Sequence, residues 1–141
     1  MSIYADTSFF VSLCVADEHS NQAQRQTEKH PPIWLTPLHS VETAHAMAQQ
    51  VCQRRISAAE ADRADDYFEN DRRAGLWLEA PVPEAALDLA IELATRHVAR
   101  FGCRALDTLH IASALEIGAA KFWTFDERQE RLAKAVGLAI S

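Results

Sequence analysis

Asp6, Glu42, Asp107 and Asp126 are scattered through 141 residues, yet each falls at an equivalent point of a strand-then-helix rhythm. Asp6 closes the apolar run Ile3-Tyr4-Ala5, and Asp126 follows Phe122-Trp123-Thr124. Glu42 lies in the first turns of the helix expected after Ile33-Trp34-Leu35, and Asp107 opens an apolar helix from Leu106 to Ile117. If the strands are parallel, their ends and the helix starts lie along one edge of the sheet, where open α/β sheets bind ligands. Unit charges about 5 Å apart repel by roughly 3 kcal/mol at an effective dielectric near 20. Four gathered carboxylates would take up protons or recruit a cation. Hard oxygen donors select Mg²⁺ or Mn²⁺.

A metal centre of this kind suits phosphate-ester hydrolysis. One ion would lower the pKa of a bound water, and a second, roughly 4 Å away, would stabilise the leaving oxygen. Thr7, Ser8 and Thr124 put hydroxyls beside the acids, where they could orient carboxylates or water. Each of these residues also has a plainer explanation. Asp6 and Asp126 are good N-caps for the helices after them, and the hydroxyls could cap as well. Asp107 could stabilise a helix N-terminus through the macrodipole, and Glu42 could face solvent. What sets the four acids apart is apolar company: Phe9-Phe10-Val11 after Asp6, Val41 and Ala44 around Glu42, Leu106 and Leu109 around Asp107, Phe125 before Asp126. Most other acids, such as Asp62, Asp65, Asp66 and Glu69, sit on polar faces.

Competing motifs fail on spacing. His39 and His45 are six apart rather than four, so with Glu42 they do not make an H-E-x-x-H zinc helix. No P-loop and no G-x-G-x-x-G is present. His110 stands one turn after Asp107 and could bond it or be a satisfied core histidine.

The elements that would position these residues alternate between short apolar runs and longer helical patterns. Strands are expected at Ser2–Ala5, Ile33–Leu35, Leu76–Leu78 and Phe122–Thr124, with a possible edge strand at Leu138–Ile140. Helices are expected over Phe9–Val15, Ser20–Lys29, Pro37–Arg55, Ser57–Arg73, a stretch after Pro83 to Gly102, Leu106–Ile117 and Glu127–Val136. Ser57 and Glu60 form a capping-box pattern, and Pro37 suits a first turn. Leu87, Ala90, Ile91, Ala94, Val98 and Phe101 recur at helical spacing and predict an apolar face. The pattern is a single α/β domain over residues 1–141, a mostly parallel sheet of four to five strands with helices on both faces.

Composition bounds the partners. Hydrophobic content of 48% and charged content of 24% are those of an ordinary globular protein. No apolar run reaches the roughly 18 residues of a membrane span, and Met1-Ser2-Ile3-Tyr4 shows no secretory signal. Cys14, Cys52 and Cys103 are far apart among apolar neighbours, which predicts free buried thiols in a reducing cytoplasm. A net charge of −6 argues against holding nucleic acid by bulk electrostatics. It leaves a nuclease open, because a bound cation would cancel charge where phosphate arrives. The arginines cluster at Arg54-Arg55, Arg72-Arg73 and Arg96, Arg100, Arg104, a pattern that solvated helix faces also explain.

Several stretches resemble the PIN domain, most closely the VapC-like toxins of bacterial toxin–antitoxin pairs. Tyr4-Ala5-Asp6-Thr7-Ser8 looks like the family's first motif, and Glu42 stands where its helix-borne glutamate is expected. Arg104-Ala105-Leu106-Asp107-Thr108-Leu109-His110-Ile111-Ala112 is similar to its most recognisable stretch. Thr124-Phe125-Asp126, then Arg128-Gln129 and Leu132-Ala133, resembles its C-terminal motif. His45 departs from the pattern, since many relatives carry asparagine or a small residue there. The resemblance implies a PIN-like three-layer fold and a Mg²⁺- or Mn²⁺-dependent endoribonuclease. Asp6, Glu42, Asp107 and Asp126 would hold metal and position water, and Thr7, Ser8 and Thr124 would support them. It further implies a homodimer silenced by an antitoxin whose C-terminal segment covers the acidic pocket. Arg104, beside that pocket, could contact the scissile phosphate. Two other readings compete: a PIN-like module that binds RNA or protein without cutting, and aspartate-based phosphoryl transfer. The latter needs a second acid where Ser8 stands, or a lysine after the late strand where Lys121 precedes it.

Overall fold

The computed structural model describes residues 1–140; Ser141, the far bound of the expected domain, lies outside the described residues. Five strands form one sheet in the order β3-β2-β1-β4-β5, every neighbouring pair parallel. They are β1 (Ile3–Ala5), β2 (Ile33–Leu35), β3 (Leu78–Glu79), β4 (Lys121–Trp123) and β5 (Ala139–Ile140). The chain builds outward from β1 to β3, then returns to lay β4 on the other side of β1. The strand order therefore reverses between β1 and β4, the kind of crevice where open α/β sheets take ligands.

Parallel strands must be covered on both faces, and the alternation of β1 shows how. Tyr4 belongs to a cluster with Ala86, Leu93, Ile111, Phe122 and Leu132. Its neighbours Ile3 and Ala5 point the other way, toward Phe9, Phe10, Ile33, Leu35, Phe68 and Trp123. The first face is covered by α5 (Ala85–Leu93), α7 (Ala105–Ile117) and α8 (Glu127–Ala135), and the second by α1 (Thr7–Cys14), α2 (Ser20–Thr27) and α4 (Ala58–Arg73). A smaller cluster of Met47, Ala61 and Ala64 joins α4 to α3 (Pro37–Cys52). This is the expected three-layer α/β arrangement. Among the described residues no helix is long and apolar enough to cross a membrane.

Local signals act as expected in most places. Ser57 and Glu60 close a capping box on α4, and Gly118 ends α7 in the left-handed region at φ 74°. The near-uniform apolarity of α7 translates into burial, with His110 through Ala114 all enclosed. Three expectations need correction. The third strand is shifted and short: Trp77 stays outside it and packs edge-on against Phe10 at 5.3 Å, leaving Leu78–Glu79 to pair with β2. The core face of α5 is turned from the expected one. Ala86 and Leu93 are buried while Leu87 and Ile91 are exposed; α5 packs against α7, and a π-helical stretch, Ala94–Val98, follows before α6 (Ala99–Phe101). Cys103 is buried and Cys14 half-buried, but Cys52 at the end of α3 is exposed; all three are free thiols.

Candidate active site

The site is assembled at the switch point by two adjacent strand ends. The backbone N–H of Asp6 donates to the Trp123 carbonyl at 2.9 Å, extending the β1–β4 ladder by one residue. Asp6 thereby stands beside Thr124, whose hydroxyl donates to Asp6 Oδ2 at 3.0 Å. Ser8 donates to Asp6 Oδ1 at 2.5 Å from the first turn of α1. Asp6 sits at the N-cap of α1, but its side chain makes no capping bond. The plain capping explanation therefore fails for this residue.

Gln129 ties a second acid to the first. Its Nε2 donates to Asp6 Oδ2 at 2.9 Å and to Asp107 Oδ1 at 3.1 Å. The other oxygen of Asp107 accepts the Arg104 backbone N–H at 3.0 Å and Arg104 Nε at 3.3 Å. Asp107 thus does both jobs considered for it, closing a capping box on α7 and facing Asp6. Sequence reasoning matched Gln129 to a motif but gave it no role. The available signal was its place three residues after Asp126, on the inward side of a helix otherwise covered in charge.

Glu42 enters from α3 and meets the site through α7. Thr7 Oγ1 donates to Glu42 Oε2 at 2.6 Å, and His110 Nε2 bonds the same oxygen. Tyr4 Oη lies 2.9 Å from His110 Nδ1. The tautomer that satisfies every atom has Tyr4 donating to Nδ1 and Nε2 donating to Glu42. His110 therefore bonds Glu42 rather than Asp107, its neighbour one turn away. The start of α3 is fixed to the strand end as well. His39 accepts the Thr36 backbone N–H at Nδ1 and holds the Ala5 carbonyl through Nε2, at 2.9 and 2.7 Å. His45, six residues on, does not join it; it lines a pocket with Glu42, Arg104 and Asp107, rimmed by Val41 and Leu106.

Asp126 is placed differently from the other three acids. Its carboxylate caps α8 by accepting the backbone N–H groups of Arg128 and Gln129, and Arg128 Nη2 pairs with it at 3.0 Å. Its link to the site runs through Thr124, whose Oγ1 accepts the Asp126 N–H at 2.9 Å while donating to Asp6. Asp6, Asp107 and Glu42 are brought together with Thr7, Ser8 and Thr124 among them, and Asp126 stands one bond further out.

The electrostatics follow from burial. Asp6 is only 2% exposed, and desolvation pushes its carboxyl up; hydrogen bonds from Ser8, Thr124 and Gln129 offset part of this. Burial also acts against Glu42, but the hydrogen bonds from His110 and Thr7 outweigh it and hold the carboxylate below its ordinary range. At Asp126 burial is likewise outweighed, by Arg128 and the helix N–H groups, and the net direction is down. His39, fully enclosed and facing His110, is driven down to about 3.

The donor set fits a hard cation. The three groups bonded to the Asp6 carboxylate are neutral, which leaves a buried negative charge without a bonded positive partner. Gln129 Oε1 is buried and unpartnered, an oxygen that a hydrated ion could use. Among the described residues the acids do not yet close into a group of three ready to hold a metal. Asp6 and Asp107 are linked through the Gln129 amide, and Glu42 shares a pocket wall with Asp107.

Known proteins resemble this chain over nearly its whole length. Ribonuclease VapC46 of Mycobacterium tuberculosis is 29% identical over 143 residues, spanning 99% of this chain and 95% of that protein. The crystal structure of VapC20 from the same organism, described as a sarcin-ricin loop cleaving toxin, superimposes with a TM-score of 0.71 at 20% identity, covering 97% and 96% of the two chains. VapBC2 from Rickettsia felis, solved with a DNA fragment from its promoter, gives 0.66 at 14% identity and covers 100% and 98%. At these identities the solved structures establish the fold. The PIN domain family matches residues 3–135, nearly the whole chain, and the protein is a member of the PIN domain family.

Proposed function

We propose that this chain is a divalent-metal-dependent endoribonuclease, the toxin of a toxin–antitoxin pair, hydrolysing RNA phosphodiester bonds with an activated water. The observation that carries the reading is the meeting of Asp6 and Asp107 on one Gln129 amide, with Glu42 held alongside by His110 and Thr7. Mg²⁺ or Mn²⁺ would be held by Asp6, Asp107 and Glu42 and would supply charge neutralisation at the phosphate and a water of lowered pKa. The chain's own residues do the rest. Ser8, Thr124 and Gln129 fix the rotamer of Asp6; Thr7 and His110 fix that of Glu42. Asp126 aligns Thr124 and the first turn of α8, and Arg104, exposed beside Asp107, is placed to meet the phosphate.

The likeness to VapC ribonucleases supports RNA as substrate and a protein antitoxin as partner. The exposed Val41 and Leu106 beside the acidic pocket suit a covering segment that is apolar with a cationic tip. The same kinship supports the further proposal of a homodimer in a cytoplasmic setting. Aspartate-based phosphoryl transfer is disfavoured, because Ser8 donates to Asp6 where that chemistry needs an acid. The test is incubation of purified protein with RNA in Mg²⁺ or Mn²⁺ against chelator, with mapping of new 5′ ends. Discrete cleavage by the parent and none by Asp107→Asn is expected; equal cleavage by both would remove the assignment.

A further inference from the structure

Next to the acidic centre the surface changes sign. A groove between the last turns of α5–α6 and the outer face of α8 is lined by His97, Arg100, Phe101, Arg131 and Lys134, with no carboxylate in its wall. In a chain of net charge −6 this is a local reversal. Arg131 and Lys134 are three apart and share one helix face, and Arg128, one turn earlier, continues the row to Asp126. The two walls are pinned at the end nearest the site, where the Cys103 thiol donates to the Arg128 carbonyl at 3.3 Å. The groove therefore starts beside the acids and runs away from them.

Its floor offers an aromatic surface. The Arg100 guanidinium stands 5.1 Å from the Phe101 ring centroid, and the His97 ring stacks on Phe101 at 6.2 Å and 26°. The π-helical stretch Ala94–Val98 carries His97 into this position, and single π turns occur often at functional sites. Arg131 and Lys134 pair with Glu127 and Glu130 one turn back. Exposed pairs of this kind are worth at most about 1 kcal/mol, so a phosphate can take over the cation. Arg100 has no carboxylate partner among the described residues.

We propose that this groove holds the RNA backbone on one side of the scissile bond, with Phe101 as a stacking surface for a base. The inference rests on the nuclease reading above and adds the path of the strand. The cationic row from Arg128 to Lys134 spans about 9 Å at 1.5 Å per residue. At about 3.4 Å per charge of a stacked strand, that matches roughly three phosphates.

The experiment measures binding of a fluorescent single-stranded 12-mer RNA by anisotropy between 50 and 200 mM salt, in the Asp107→Asn background. The groove variant Arg100→Gln/Arg131→Gln/Lys134→Gln is compared with Arg25→Gln/Arg55→Gln/Arg63→Gln, an equal charge change on exposed residues of the other helical layer. The groove variant should lose at least tenfold in affinity, and its salt slope should fall by about 2, at roughly 0.7 per single-strand phosphate contact. The control should stay within twofold. Phe101→Leu, checked for folding by its thermal melt, should lose fivefold or more from stacking. Equal losses in both triple variants would show diffuse electrostatics and overturn the groove. Unchanged RNA binding by the groove variant, with RNA still cleaved by the parent, would overturn it and leave the nuclease intact. A parent that neither binds nor cleaves RNA would remove both.

Discussion

Asp6 and Asp107 accept hydrogen bonds from the same nitrogen, Gln129 Nε2, although one acid ends the first strand and the other opens the seventh helix. A neutral donor between two carboxylates keeps them close without cancelling their charge. On the proposed reading a cation would join this pair, and the first expectations follow from that.

Asp6→Asn should abolish cleavage while leaving the thermal midpoint unchanged or higher. The amide is isosteric, Ser8 can accept from it, and removing a buried charge relieves the desolvation that pushes Asp6 up. Retained cleavage by folded Asp6→Asn, or a drop of several degrees in its midpoint, would contradict this account.

Gln129→Leu removes the shared donor. It should cost about 1–3 kcal/mol in denaturant unfolding, because buried acceptors lose their partner. Cleavage should fall roughly 10- to 100-fold, as for other groups that orient metal-binding side chains. Calorimetric titration with Mn²⁺ gives the matching binding measurement, and full affinity in the variant would argue that Gln129 is only structural.

His110→Leu should loosen Glu42 and strand the Tyr4 hydroxyl. The expected stability loss is again about 1–3 kcal/mol. Tyr4→Phe in the same protein should recover part of it, because no donor is then left unpaired. Absence of that recovery would show that the two groups are not energetically coupled.

His39 supplies a pH signature. Burial lowers it from 6.5 to about 3, so below pH 6.5 the unfolded chain takes up a proton that the folded chain refuses. Its contribution to stability is whole above pH 6.5 and is lost as pH falls toward 3, at about 1.4 kcal/mol per pH unit. Urea unfolding from pH 7 to 4 should show this limb, and His39→Gln should flatten it. An unaltered slope in the variant would reassign the acid sensitivity to other groups.

Much of this centre was legible before any coordinates. The acids announced themselves because each was a charge among apolar residues at the end of a strand or the head of a helix, and parallel topology then forces them to one edge. The hydroxyl roles followed from adjacency in sequence, as with Ser8 and Asp6. What adjacency did not reveal was Gln129, whose signal was its place on the inward face of α8 with Leu132 and Ala133. For His110 helical spacing allowed a bond to Asp107 or a satisfied core position, and packing turned the buried ring to Tyr4 and Glu42, the second of these. The apolar face of α5 was misplaced because two stripes of helical spacing compete there: Leu87 and Ile91 lie on one, and Ala86, Leu89 and Leu93 on the one that packs inward. Asp126 serves two roles. Its capping bonds are those its residue type favours, and its tie to Asp6 through Thr124 is visible only in three dimensions.

The amide of Asp6 is locked into the ladder with Trp123, one step beyond the last paired residues of the two strands. An acid anchored in this way should exchange its amide hydrogen only when the entire sheet comes apart. The first strand therefore sets where that carboxylate stands, and no loop motion is needed to bring it there.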